Sequence, residues 1–429
     1  MQGFFNLLKT KNTYFFKCLV IFMFAVLLPI KISLSNFFLI LYFVISLFTI
    51  IKGKKRSINP LFYYSPVLLF IPLIIGFFYT TYMDNAIHDI IKKNSFLLIP
   101  LFLSFETKYN LKKLSYFAKR GLLLGVITSL LFLIINVLYR FVIINKESEL
   151  INLFNFNYTR YNFTNILKIH PTYFGIYILF SMVLILKLYY EKRIKIIPFT
   201  VLSVLFTIGI LFINQRIIFI LFGLLILFFI FYFLKTQVQK KAYLKFLIVT
   251  VLLIFIGFIS FSKIKKTYVY YRFTKELNWE FSDKINSFYI KEKGQVSDPR
   301  LARWKGIVNL INEKPLFGFG AGSETQVLGK MFKEKGMINS YNKKYNTHNQ
   351  YLSVLVEFGF FGFLFFLFFL LSNLYFSIKY KNIEFISVLT ILIMVGLVEN
   401  ILSRNNGITF FTFFVSLYLF QSLSTKKIK

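Results

Sequence analysis

The chain has 429 residues, 57% of them hydrophobic and only 16% charged, with a mean hydropathy of +0.66, which excludes an ordinary soluble domain. Lys and Arg outnumber Asp and Glu by 51 to 17, a formal charge of +34; on a membrane protein this excess marks cytoplasmic loops and gives no reason to invoke nucleic acid. The single cysteine, Cys18, excludes disulfides and cysteine-ligated metal sites.

Twelve apolar runs follow in chain order: 14–30, 34–51, 61–80, 94–105, 121–144, 171–190, 194–213, 217–234, 244–262, 351–378, 383–399 and 407–423. A bilayer crossing needs roughly 20 apolar residues; the fourth run is short, and including residues 86–93 would lengthen it. No small-x-small cleavage pattern follows the first run, which reads as an uncleaved span. The expected fold is therefore all-α, a polytopic bundle of about twelve transmembrane helices. Basic residues in alternate loops, counted from Lys9 through Lys429, outnumber those in the opposite short loops, from Lys31 to Arg404, by 24 to 8. By the positive-inside rule both termini are cytoplasmic. One large loop, 263–350, between the ninth and tenth helices is then periplasmic, and loops of that length are usually functional. The chain divides into an N-terminal transmembrane part, 1–169, and a second part, 170–429, that contains this loop.

Candidate functional groups occur at the outer ends of the runs. His88 lies in a short outside segment and reads as a solvated polar residue. His170 precedes Pro171 at the mouth of the sixth run, where a helix-start role and a site role are both open. Arg140, close to its span end, reads as a snorkelling side chain. Arg216 falls between two runs with almost no loop, so its guanidinium sits near the outer headgroups, either snorkelling or holding phosphate. Asp298 and Pro299 read as the N-cap and first position of a helix that ends before Pro315. Leu301, Trp304, Val308 and Ile311 form its apolar stripe with Arg300 and Arg303 alongside, so it is expected to lie at the membrane surface. Gly318, Gly320 and Gly322 imply a tight turn, with an anion-holding backbone nest as one use of it. His348 stands where the large loop re-enters the membrane, and a neutral imidazole there suits a general base. Glu357 and Glu399 lie within spans, where pairing with Arg216, Arg300 or Arg404 is the plainer role and direct catalysis the other.

No Walker sequence, no Asp-x-Asp and no metal-spaced carboxylate or His cluster is present, so nucleotide hydrolysis and metal-dependent transfer are unsupported, and no cofactor or metal is expected. Three strings in order then carry a resemblance: Arg300-Leu301-Ala302-Arg303-Trp304 running on to Pro315-Leu316-Phe317-Gly318-Phe319-Gly320, then Thr347-His348-Asn349-Gln350-Tyr351-Leu352, then Glu357-Phe358-Gly359-Phe360-Phe361-Gly362. With His170-Pro171-Thr172-Tyr173, Gln215-Arg216 and the stretch from Glu399 to Gly407, they resemble the O-antigen ligase and polymerase superfamily of bacterial inner-membrane glycan transferases. The resemblance implies metal-independent transfer of a glycan from undecaprenyl diphosphate to an acceptor hydroxyl, on lipid A core or another glycan, at the periplasmic face. It implies His348 as the base and Arg216 and Arg300 as diphosphate ligands, with Arg303 competing for the second position. His170, Asn349, Glu357, Glu399 and Arg404 are supporting. A ligase is preferred to a polymerase or a protein O-oligosaccharyltransferase, partly because the chain is compact and carries no added C-terminal domain. A polysaccharide transporter or flippase is the alternative outside enzymes, but neither interrupted helix pairs nor a repeat supports it.

Overall fold

The computed structural model describes residues 10–52, 58–237, 265, 267–283, 290–291, 295–296 and 298–422. Apart from the two-residue strands Ile290–Lys291 and Gln295–Val296, the regular structure among these is helical. The principal helices are α1 (Thr10–Leu27), α2 (Ile32–Ile51), α3 (Val67–Phe77), α4 (Met83–Lys93), α5 (Ser95–Ser104), α6 (Lys108–Tyr139), α7 (Pro171–Tyr190), α8 (Ile196–Ile213), α9 (Arg216–Gln237), α10 (Arg300–Glu313), α11 (Glu324–Glu334), α12 (Gln350–Lys379), α13 (Ile383–Gly396) and α14 (Asn405–Ser422). Five are long and apolar enough to cross a membrane: α2, α6 with its extension to Ile144, α7, α8 and α12. Shorter apolar helices occur in α1, α3, α9 and α13. The expected run at 244–262 lies outside the described residues. His88, expected in a loop, is on α4, because residues 83–93 continue as helix up to Asn94.

The chain forms two compact units. The first comprises Met1–Ser129, Ser282–Ile290 and Gly294–Lys429. At its centre is α14, buried along nearly its whole length from Gly407 to Phe420 and packed against α2, α5, α12 and α13. A helix apolar on every side belongs in such a position, since no face needs water. Lys17 on α1 forms a buried ion pair with Glu106, which also accepts from Asn110 at 2.7 Å. Breaking such a pair strands a buried charge, so it ties α1 to the start of α6.

The helix α10 does not present the face expected from its stripe. Val308 is exposed, whereas Ala302, Gly306, Ile307 and Leu310 are buried. They pack with Val327, Leu328, Met331, Phe332 and Met337, and with Val356 of α12, while Trp304 and Ile311 stay at the margin. Burying a side chain such as Ile307 or Phe332 stabilises by roughly 2 kcal/mol, so contact with α11 and α12 sets the helix orientation. The cap also differs. Pro299 occupies the N-cap without a side-chain bond, and the Asp298 carboxylate instead accepts from Ser340 N at 2.7 Å.

The glycine turn docks against a break in α12. Gly359, at φ 58° and ψ −159°, is non-helical and interrupts the helix ladder. The freed carbonyls of Val356 and Glu357 accept from Phe319 N (2.9 Å) and Gly320 N (2.8 Å), while Phe360 N and Phe361 N donate to Pro315 O and Leu316 O (2.8 and 3.0 Å). Residues 315–320 thus pair with the broken turn in the manner of a short strand. A Cβ at Gly359 would lie 2.5 Å from the Leu316 backbone. This pairing overturns the anion-nest expectation: Gly318, Phe319, Gly320 and Ala321 all spend their N–H groups on carbonyls.

The second unit comprises Leu130–Phe281 and Lys291–Lys293. Its core helix is α7, buried from Pro171 to Ile185 and packed against α8 and α9. Arg140 does not snorkel; its guanidinium donates to Asn157 O (3.3 Å) and Asn162 O (2.8 Å). Carbonyls left over by the irregular stretch 155–162 satisfy the cation there.

Candidate active site

In the first unit the site is built around the turn that opens α12. Asn349 is the N-cap, its side chain accepting from Tyr351 N (2.9 Å) and Leu352 N (3.1 Å). Its amide donates to Leu397 O at 3.1 Å. The cap forces the preceding residue out of the helix, and His348 takes a left-handed backbone at φ 47°. That conformation is costly for a residue with a Cβ and persists where its surroundings impose it. Here they do. Thr347 N donates to Glu324 Oε1 (3.0 Å), and Thr347 Oγ1 and Asn349 N both donate to Asn400 Oδ1 (2.7 and 2.8 Å). Asn400 Nδ2 in turn donates to Glu324 Oε1 (2.7 Å), and Trp304 Nε1 donates to Thr347 O (2.9 Å).

The imidazole of His348 is half-buried, and its Nδ1 lies 3.1 Å from Glu399 Oε2. A carboxylate on one ring nitrogen fixes the tautomer with the proton on Nδ1 and leaves Nε2 as the basic nitrogen. Glu399 therefore pairs with a histidine, a partner that its position in the sequence did not suggest. Arg300, the first residue of α10, donates from Nη1 to Val398 O at 3.3 Å. His348 and Arg300 consequently meet the same short segment, 398–400. Arg303 is in a different situation: it is 5% exposed, with its guanidinium 5.0 Å from the Tyr345 ring centroid. Tyr345 in turn stands edge-on to His348, centroids 5.5 Å apart. Of the two arginines expected to compete for one position, Arg300 is thus part-exposed and Arg303 is buried beside Tyr345.

Glu357 is buried on α12, and its partner is Lys93, at 3.5 Å, which also pairs with Asp89 at 2.8 Å. None of the three arginines expected for it takes that place. Lys93 holds the Asp89 carboxyl below its ordinary range, against the opposing effect of burial. Glu357, Asp89, Lys93, His88 and Arg404 all line a cavity of about 860 Å³. Glu324, Asn400 and Lys93 are the residues sequence reasoning missed. An acidic residue in the first turn of a helix is ordinarily explained by the helix dipole, so Glu324 carried no distinctive signal.

In the second unit, Arg216 starts α9 and pairs with Glu280 at 3.2 Å, and its Nη1 donates to Arg272 O at 3.4 Å. Arg272 is 2% exposed and pairs with Glu276 at 3.6 Å, while its Nε and Nη1 have no hydrogen-bond partner among the described residues. Arg160 lies 3.8 Å from Glu276, and its Nη1 donates to the Tyr268 hydroxyl at 3.2 Å. Among the described residues three guanidinium groups face two carboxylates here, and burial, then Arg160, push Arg272 below its ordinary value. His170 acts as the N-cap of α7: Nδ1 accepts from Thr172 N at 3.3 Å and Nε2 lies against the Tyr161 hydroxyl. Its helix-start role is thus filled by observed bonds.

No curated protein matches the chain. Residues 201–367, which contain Arg216, Arg300, Arg303, His348, Asn349 and Glu357, match the family model described as O-antigen ligase. With its long apolar helices the chain is a multi-pass membrane protein, and its segment 201–367 is similar to the O-antigen ligase family.

Proposed function

We propose that the protein is a glycosyltransferase of the ligase type, moving a glycan from undecaprenyl diphosphate to a hydroxyl of lipid A core at the periplasmic face of the bacterial inner membrane. The observation that carries this reading is His348 with Nδ1 on Glu399, beside Arg300 on the same 398–400 segment. Nε2 of His348 takes the proton of the acceptor hydroxyl as that oxygen attacks the anomeric carbon. The bond from the anomeric carbon to the diphosphate oxygen breaks, the glycosidic bond forms, and undecaprenyl diphosphate leaves with the bonding electron pair. Glu399 steadies the imidazolium that results. Arg300 is the diphosphate ligand of the first unit, since a guanidinium fork matches phosphate oxygens and offsets charge developing on the leaving group. Arg303 supports Tyr345 and through it His348. The resemblance implies a diphosphate-binding role for Arg216 as well, which in the second unit pairs with Glu280.

Deletion of the gene tests the acceptor. Loss of a ligase leaves lipopolysaccharide as bare lipid A core while long glycan accumulates on undecaprenyl diphosphate. Core carrying a single repeat unit would instead identify a polymerase. Unchanged lipopolysaccharide with glycan lost from proteins would identify a protein-directed transferase.

A further inference from the structure

The cavity of the first unit joins apolar and polar lining. Leu69, Leu73, Phe96 and Phe366 come from the apolar helices α3, α5 and α12, and polar groups come from α4, from residues 341–346 and from Ser403 and Arg404. Three carboxylates reach it, and each is already committed. Glu324 accepts from Thr347 N, Asn400 Nδ2 and Ser353 Oγ; Asp89 and Glu357 share Lys93. Lys92, Lys344 and Arg404 remain, lining the same space from three separate segments, their side chains with no ion pair or hydrogen bond among the described residues. Burial holds the Lys92 ammonium below its ordinary value, against Asp89 and Glu357, with Lys93 and Arg404 adding to the lowering.

A volume of about 860 Å³ is at the upper end for a single small ligand, and the cations are interspersed with Asn85, Asn342 and Ser403. A compact diphosphate would leave most of these hydrogen-bonding groups unused. A saccharide bearing a phosphate monoester matches both sets, and a lipid chain matches the apolar lining. The base is adjacent: Tyr345 lines the cavity and packs against His348.

We propose that this cavity seats the acceptor, and that Lys92, Lys344 and Arg404 bind a phosphate on its saccharide. The proposal rests on the glycosyl-transfer reading and adds a residue-level acceptor site to it. It is tested by binding to the full chain in phosphatidylcholine nanodiscs, comparing wild type with the triple variant Lys92→Gln, Lys344→Gln, Arg404→Gln. The probes are lipid A core with its phosphates, the same glycolipid dephosphorylated, and glycan-free undecaprenyl diphosphate.

The expected result is that wild type prefers the phosphorylated glycolipid, and that the triple variant loses about tenfold or more of that affinity. Its binding of the dephosphorylated probe and of undecaprenyl diphosphate stays unchanged, which also shows that it is folded. Equal binding of the phosphorylated probe by both proteins overturns the proposal, as does a loss that falls on undecaprenyl diphosphate instead. Failure of wild type to distinguish the two glycolipids also overturns it. Glycan transfer measured on the same wild-type preparation separates that outcome from failure of the transferase reading itself.

Discussion

At His348 the local backbone and the chemistry are linked. The left-handed φ, the Asn349 cap and the bonds to Glu324 and Asn400 hold the ring where Glu399 can fix its tautomer. His348→Ala is expected to abolish transfer with the protein still inserted, a loss of about 10²–10⁴-fold, read from glycan transfer by purified protein. Glu399→Gln keeps the shape but removes the charge that steadies the imidazolium; a fall of about 10–100-fold in kcat is expected, and an unchanged kcat would remove Glu399 from the mechanism. Arg300→Lys and Arg216→Lys preserve charge and lose the bidentate fork. Both are expected to weaken donor binding, and normal binding in both would return these residues to the role of membrane-interface cations. His348, Arg300 and Glu399 were legible in the sequence as residue types at interfaces. Their pairing was not, because residues about fifty positions apart meet only through the fold.

Among the elements, the break in α12 shows what a sequence string can hide. Glu357-Phe358-Gly359-Phe360-Phe361-Gly362 reads as uninterrupted apolar helix, and one Gly within such a run costs only about 1 kcal/mol. In the structure Gly359 exposes two carbonyls and two N–H groups, and residues 315–320 satisfy all four. Gly359→Ala should therefore destabilise by more than the roughly 1–2 kcal/mol of a left-handed residue, because its Cβ meets the Leu316 backbone. A thermal midpoint equal to wild type in detergent would argue against this. The helix α10 teaches the converse. Its position and length were readable from Pro299 and Pro315, but its buried face was not: Ala302 and Gly306 carry little hydrophobic weight, yet they allow α11 to approach closely. Likewise Lys17 was hidden inside an apolar run, and Glu106 and Thr49 come to it only through the fold.

For the whole molecule, the sequence made the all-helical membrane class plain, since helix-length apolar runs and polar interruptions alternate throughout. Side assignment rests on the distribution of basic residues. In a Cys18→Ser background, cysteine at exposed Lys333 should react with an impermeant reagent on intact spheroplasts, and cysteine at exposed Lys108 should not. The opposite pattern would invert the topology and place His348 on the cytoplasmic side. Last, the residues that orient His348 have a consequence for biogenesis. Glu399 and Asn400 lie beyond α13, and they emerge from the ribosome well after His348 itself. On the proposed mechanism, a nascent chain is expected to stay catalytically silent until its final helical hairpin has entered the bilayer. Two fragments divided at the exposed Lys381 should each be inert alone and regain transfer when synthesised together; activity in the first fragment by itself would show that the base needs no such late completion.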